Sequence, residues 1–184
     1  MSLNPNHIKW TCSTSKRDLV TIVATSKLNH SAEEMWAILS KAGYLTDVNQ
    51  YVEENTSDQW AGVGNEDFFR YRNGKEFTRT LESWDENEGI RLKLAALKPK
   101  KQKNQIWVHF LYNENEDKTI DFSITIKVDS FRNVPRPLWW LYASSKVEHR
   151  YKSYMTHLMQ GYEHYLRTGK AVKPNQFGSN KTFE

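Results

Sequence analysis

The run from Ile120 to Asp129 alternates without a break. Ile120, Phe122, Ile124, Ile126 and Val128 fall on one side, and Asp121, Ser123, Thr125, Lys127 and Asp129 on the other. A period of two belongs to a β-strand with one buried and one wet face. Strands of that kind are found in antiparallel sheets, since parallel ones are usually covered on both sides. This strand therefore dictates an antiparallel sheet with an apolar face that another element must cover.

The rest of the chain supplies the sheet and the cover. "DLVTIVATSKL" (18–28) reads as a first strand. "NHSAEEMWAILSKAG" reads as a helix: Ser31 and Glu34 form a capping box, Met35, Trp36, Ile38 and Leu39 its apolar face, and Gly43 its stop. "YLTDVNQYV" predicts a second short helix or a turn, and a weak strand follows near "QYVEENTS". After Gly62 and Gly64 the texture is all strand, with "EDFFRYR" and "KEFTRTLESW" flanking Asn73-Gly74, a strong hairpin signal. "IRLKLAAL" and "QIWVHFLY" precede the alternating strand. Pro135 and Pro137 then end the sheet and can open a helix. Tyr151, Tyr154, Met155, Leu158, Tyr162 and Tyr165 recur at helical spacing, and Gly161 is the one glycine between Leu138 and Arg167. The expected class is α+β: an antiparallel sheet of about seven strands, one or two short helices after the first strand, and a long C-terminal helix. The domain spans 18–169, between an N-terminal extension (1–17) and a Gly/Pro/Asn-rich tail (170–184) expected to be loose.

Composition narrows the function classes. The mean hydropathy of -0.78, with no long apolar run, excludes a helical membrane span. The polar opening "MSLNPNHIKW" lacks a secretory core, and Cys12 is the single cysteine, so the expected compartment is cytoplasmic and no disulfide framework exists. The Asn-x-Ser/Thr matches at Asn29, Asn55 and Asn180 carry little weight there. A net charge of +4 mildly favours anionic partners. The densest basic cluster, "KPKKQK" (98–103), reads as a solvated hairpin loop. Gly62-Val63-Gly64 leads into a strand and makes no dinucleotide loop. His149, His157 and His164 stand two turns apart, too far for helical zinc ligation, so no metal and no cofactor is expected. Trp139-Trp140 after Arg136 could suggest base stacking with cationic support, the weakest of the readings, and no nucleic-acid partner is expected.

The segments "HSAEEMWAIL", "GVGNEDFFRYRNGKEFTRTLESWDENEGIRLKL" and "YMTHLMQGYEHYLRTG" together resemble the START-related (SRPBCC) superfamily, which includes lipid-transfer domains, pollen-allergen-type proteins and polyketide cyclases. The family turn usually has proline after the aspartate; Glu86 stands there in this chain. The resemblance spans roughly 18–169. It implies a helix-grip fold, in which the curved sheet and the long helix enclose a cavity for a lipid or another hydrophobic or aromatic molecule.

The hairpin at 68–84 bears on that cavity. A two-residue Asn73-Gly74 turn sets Arg70 opposite Phe77 and Phe68 opposite Arg79. One face then carries Phe68, Arg70, Phe77, Arg79, Leu81 and Ser83; the other carries Phe69, Tyr71, Glu76, Thr78, Thr80, Glu82 and Trp84. A one-residue slip exchanges the two sets. The face with Phe77 and Leu81 is the expected inner one. Arg70 or Arg79 then enters the interior and needs a carboxylate such as Glu66, or an anionic ligand group. The candidate lining is Arg70, Phe77, Arg79, Leu81, Leu92, Trp107, His109, Phe122 and Ile124 from the sheet. Tyr151, Tyr154, Met155, Leu158 and Tyr162 come from the helix. The leading expectation is a binder or carrier of a hydrophobic small molecule or lipid without stable membrane insertion. One alternative is an enzyme of the polyketide cyclase or aromatase kind using His109, Arg79 and Tyr154. The other is a protein-interaction or co-chaperone module presenting Trp10, Trp60 and Trp139.

Overall fold

The computed structural model describes residues 3–14, 20–97, 105–129 and 148–184. The basic run 98–103, Pro135, Pro137 and Trp139-Trp140 lie outside the described residues. A short 3-10 turn, Pro5–His7, opens the chain. The strands are β1 (Lys9–Thr14), β2 (Val20–Leu28), β3 (Val52–Thr56), β4 (Glu66–Tyr71), β5 (Glu76–Asp85), β6 (Gly89–Ala96), β7 (Gln105–Glu114) and β8 (Ile120–Asp129). The helices are α1 (Ala32–Leu39), α2 (Leu45–Val48) and α3 (Glu148–Thr168).

All eight strands form one antiparallel sheet in the order β1-β2-β8-β7-β6-β5-β4-β3. The eighth is β1, inside the segment expected to be a mere extension. It pairs along its whole length with β2, Trp10 facing Ala24 and Cys12 facing Ile22. A short polar strand at a sheet edge leaves little apolar alternation to read. The alternating strand β8 sits between β2 and β7 and sets the phase of both. Phe122 lies between Ser26 and Tyr112, Ile124 between Ala24 and Phe110, and Ile126 between Ile22 and Val108. These side chains form the inner face, and α3 covers it: Tyr162 packs on Phe110 and Phe122 at ring-centroid distances of 5.7 and 5.2 Å.

The capping box forms as expected, the Ser31 hydroxyl accepting from the Glu34 amide and Glu34 accepting from the Ser31 amide. Helix α1 ends at Leu39, ahead of Gly43, which instead makes the turn into α2 with φ 74°. Helix α3 touches α2 backbone to backbone at Gly161, where an added Cβ would stand 1.8 Å from the Val48 carbonyl oxygen. Only glycine permits that approach.

The tail does not run free. Phe177 N–H donates to Gln50 Oε1 at 2.8 Å, and Gln50 Nε2 donates to the Gly178 carbonyl at 2.7 Å. Asn180 Nδ2 donates to the Arg150 carbonyl at 3.0 Å, and the Thr182 carbonyl accepts from Asn73 Nδ2 at 2.8 Å. Glycine and asparagine act here as turn formers that fold the segment back onto the domain.

Candidate functional site

The β4–β5 hairpin decides what the interior contains. Its loop holds three residues, not two: Tyr71 N–H donates to the Lys75 carbonyl at 2.9 Å, and Gly74 adopts φ 76°. A three-residue loop closed by a left-handed glycine is the next most favoured hairpin geometry. The extra residue moves β4 by one step, so Phe69 faces Phe77 and Asp67 faces Arg79. The inner set is therefore Asp67, Phe69, Tyr71, Phe77, Arg79 and Leu81. Arg70, expected inside, points outward and pairs with Glu53 at 2.6 Å and Glu54 at 2.8 Å. In β5 a bulge between Leu81 and Ser83 shifts the phase again and places Trp84 opposite the buried Ile90. Trp84 then packs against Trp36 at 4.8 Å.

Arg79 is the interior arginine, 3% exposed, and its partner is Asp67, also 3% exposed. Its Nε donates to Asp67 Oδ1 at 2.9 Å, Nη2 pairs with Asp67 Oδ2, and Nη1 donates to the Tyr44 hydroxyl at 3.1 Å. Asn55 Nδ2 donates to Asp67 Oδ2 at 2.6 Å and to the Phe68 carbonyl at 2.9 Å. Aromatic rings enclose the guanidinium, Trp60 at 4.9 Å, Tyr44 at 5.1 Å and Phe69 at 5.5 Å. Burial alone would lower the Arg79 pKa, but the Tyr44 oxygen and the Asp67 carboxylate outweigh it and hold the cation firmly charged. With these donors engaged, Arg79 is a built-in brace between β4 and β5, not a hook for an anion. Glu66, the partner expected from sequence, instead accepts from Thr80 Oγ1 on the outer side.

A second polar group lies where α2, β3, β4 and α3 meet. Asn49 Nδ2 donates to the Tyr154 hydroxyl at 2.9 Å, and the Tyr71 hydroxyl meets it at 3.0 Å. The Tyr51 hydroxyl bonds His157 Nδ1, which Gln50 Nε2 also approaches at 3.3 Å. Burial raises the pKa of Tyr71, Tyr154 and Tyr162, and pushes Tyr51 and Tyr151 up to about 12. At neutral pH these phenols keep their protons and serve as hydrogen-bond donors. Burial lowers the pKa of His157, so its ring is neutral and Nδ1 can accept from Tyr51.

Three further hydroxyls on the inner side have no protein partner among the described residues. Ser26 and Tyr112 flank Phe122 in the sheet, and Tyr162 covers it from α3. The Tyr162 hydroxyl lies beside that of Tyr44 but outside ordinary hydrogen-bond geometry.

The structure thus brings together Phe77, Arg79, Leu81, Leu92, Phe122 and Ile124 on the inner face, with Tyr151, Tyr154, Met155, Leu158 and Tyr162 opposite. It does not bring Trp107 or His109 there. Val108, Phe110 and Tyr112 take the inner positions of β7, because they pair with Ile126, Ile124 and Phe122. His109 sits outside between Arg91 and Thr125, its pKa lowered by burial and by the Arg91 and Lys127 charges. His109 is therefore separated by the sheet from Arg79 and Tyr154, and the three cannot act on one substrate. Trp60 is also no surface patch: it is buried, and its Nε1 donates to the Leu39 carbonyl at 2.8 Å. Asp67 lies in β4, whose phase depends on the loop length, Asn55 in the short strand β3, Tyr44 in the turn before α2 and His157 in α3, so no local pattern marks them as interior partners. Asp67, Phe69 and Tyr71 do alternate, which was the available signal.

No family model matches the sequence, and no curated protein matches it. Solved structures do. A START superfamily protein from Mycobacterium smegmatis is similar at 14% identity with a TM-score of 0.55, covering 82% of this chain and 99% of that one. Ara h 8.0201 is similar at 9% identity and a TM-score of 0.60, covering 82% and 99%. DynU16, from the dynemicin biosynthetic locus, is similar at 12% identity and a TM-score of 0.57, covering 82% of this chain and 48% of that one. One antiparallel sheet gripped by a long closing helix, similar to these structures over most of its length, gives this chain a helix-grip fold.

Proposed function

We propose that the protein binds a hydrophobic small molecule, aromatic or lipid, between the inner face of the sheet and α3. The observation that carries this reading is the set of hydroxyls without a protein partner among the described residues, Ser26, Tyr112 and Tyr162, grouped around Phe122 against the apolar core. A buried hydroxyl without a partner costs about 1–3 kcal/mol, and native interiors rarely carry several together. A guest with an apolar body and one or two polar atoms fits such a lining: the rings supply contact area and the hydroxyls fix orientation. Contact area contributes about 25 cal/mol per Å² removed from water. The resemblance to the START-related superfamily, whose members hold guests between sheet and helix, supports the reading.

Calorimetric titration with a panel of planar aromatic compounds and long-chain acyl lipids tests the reading. Saturable binding with a negative heat-capacity change is expected for at least one class. Tyr112→Phe is then expected to weaken a guest that uses the hydroxyl, without changing the fold. A panel in which nothing binds overturns the proposal.

A further inference from the structure

Four tyrosines form a box at the end of the interior nearest the tail, and the tail fills it. The Phe183 ring lies 4.3 Å from Tyr154, 5.4 Å from Tyr71, 6.0 Å from Tyr51 and 6.2 Å from Tyr151, centroid to centroid. Tyr51, Tyr71 and Tyr154 are buried, whereas Phe183 is partly exposed and Lys181, two residues before it, is exposed. The box is therefore within reach of solvent once Phe183 leaves. Turn bonds and a few side-chain bonds hold it there: Glu184 N–H donates to the Asn180 carbonyl at 3.2 Å, Asn180 N–H donates to Glu184 Oε1, and Asn180 Nδ2 donates to the Arg150 carbonyl at 3.0 Å. Phe183 N–H donates to the Asn180 carbonyl at 2.9 Å, Thr182 N–H donates to Asn180 Oδ1 at 3.1 Å, and the Thr182 carbonyl accepts from Asn73 and from Lys75 Nζ at 3.0 Å. Bonds of this kind contribute about 1 kcal/mol each, within the range that one bound small molecule can replace.

A proton count inside the box points the same way. Tyr71 and Tyr154 share one hydrogen bond, which uses one of their two phenolic protons, while Asn49 brings its own proton to Tyr154. One phenolic proton is left without an acceptor among the described residues, and the phenyl ring of Phe183 offers none.

We infer that the box of Tyr51, Tyr71, Tyr151 and Tyr154 is a binding site for a planar aromatic guest bearing a hydrogen-bond acceptor, and that Phe183 is the intramolecular occupant that guest displaces. This rests on the reading that the interior receives a hydrophobic guest, and narrows it to a ring of phenyl-like width at this end. An occupied box lowers apparent affinity by the fraction of time it stands open.

The test uses acetophenone, whose phenyl ring and coplanar carbonyl give a planar aromatic body of that width with one acceptor oxygen. Titrated into the full chain and into Phe183→Ala, it is expected to bind the variant about tenfold tighter. In the otherwise unaltered chain, 4-fluorophenylalanine at position 183 is expected to move its fluorine resonance to the free-chain position as the probe saturates. That measurement decides the matter even if Phe183→Ala does not fold. Adding both Tyr71→Phe and Tyr154→Phe to Phe183→Ala removes both phenolic protons and should weaken binding about fivefold, the loss of one hydrogen bond to the guest. Affinities equal within roughly twofold, or a fluorine signal that stays in place at saturation, overturn the displacement while leaving a binding interior intact. Failure of both proteins to bind this probe or any member of the aromatic and acyl panel overturns the wider reading as well.

Discussion

Arg79 shows how one residue can be expensive to bury and still be required. Its charge is buried among Tyr44, Trp60 and Phe69, and Asp67 balances it. Removing one partner strands the other. Arg79→Ala or Asp67→Asn should therefore lower stability by about 3–5 kcal/mol in urea denaturation. The double variant Asp67→Leu/Arg79→Met should recover most of that loss, since well-packed apolar substitutes often match a buried pair. A double variant no better than either single one would show that the pair does more than neutralise itself. His157 gives the second residue-scale expectation. Burial holds its folded-state pKa below the ordinary 6.5. The folded chain then binds fewer protons than the unfolded chain, so this contribution is complete above 6.5 and declines as pH falls through the depressed value. His157→Gln should flatten the fall in stability just below 6.5, by at most about 1.4 kcal/mol per pH unit. His109 and His164, also lowered, keep the same sign in the variant, while Glu163, raised by burial, opposes them at lower pH. A slope unchanged by His157→Gln would remove this residue from the acid response.

At the scale of elements, what could be read beforehand follows from how local each signal is. The capping box and the alternation of β8 are properties of a few adjacent residues, and both appear as expected. Register is not local. The loop at Asn73-Gly74 was visible as a turn, but its length was not, and one residue more in the loop exchanges Arg70 for Asp67 at the inner face. In β7, either set of residues could have turned inward. Trp107 and His109 lost to Val108, Phe110 and Tyr112 because β8 next to them has no second choice. The helix lining was legible, since a spacing of three and four residues requires no partner to be interpreted. The tail was not, because its bonds join residues more than a hundred positions apart. Gly161 marks the closest approach of two elements. Gly161→Ala puts a methyl group into the Val48 carbonyl, so α3 must lift from α2. The gain in helix propensity, about 1 kcal/mol, is smaller than the 1–3 kcal/mol or more typical of overpacking, so a net loss is expected by thermal or urea unfolding. A stabilised variant would mean that α3 can shift without disturbing its tyrosines.

For the molecule as a whole, the arrangement is a single sheet with one covered face, and α3 is the cover. Among the described residues no helix is long and apolar enough to cross a membrane. A guest held between sheet and helix would couple its binding to the stability of the fold. A molecule that binds there binds the folded chain and not the unfolded one, so its affinity appears as added stability. At a free concentration of 100 times its dissociation constant that addition is about 2.7 kcal/mol. A chain of 184 residues gains about 2–4 °C per kcal/mol, so a genuine guest should raise the melting temperature by roughly 5–11 °C. The increase should continue with the logarithm of concentration rather than level off at one equivalent, because the linkage has that form. It should also coincide with the affinity measured by calorimetry. Compounds that bind by titration and leave the melting temperature unmoved would bind both states alike, which a surface patch can do and an interior held together by α3 cannot.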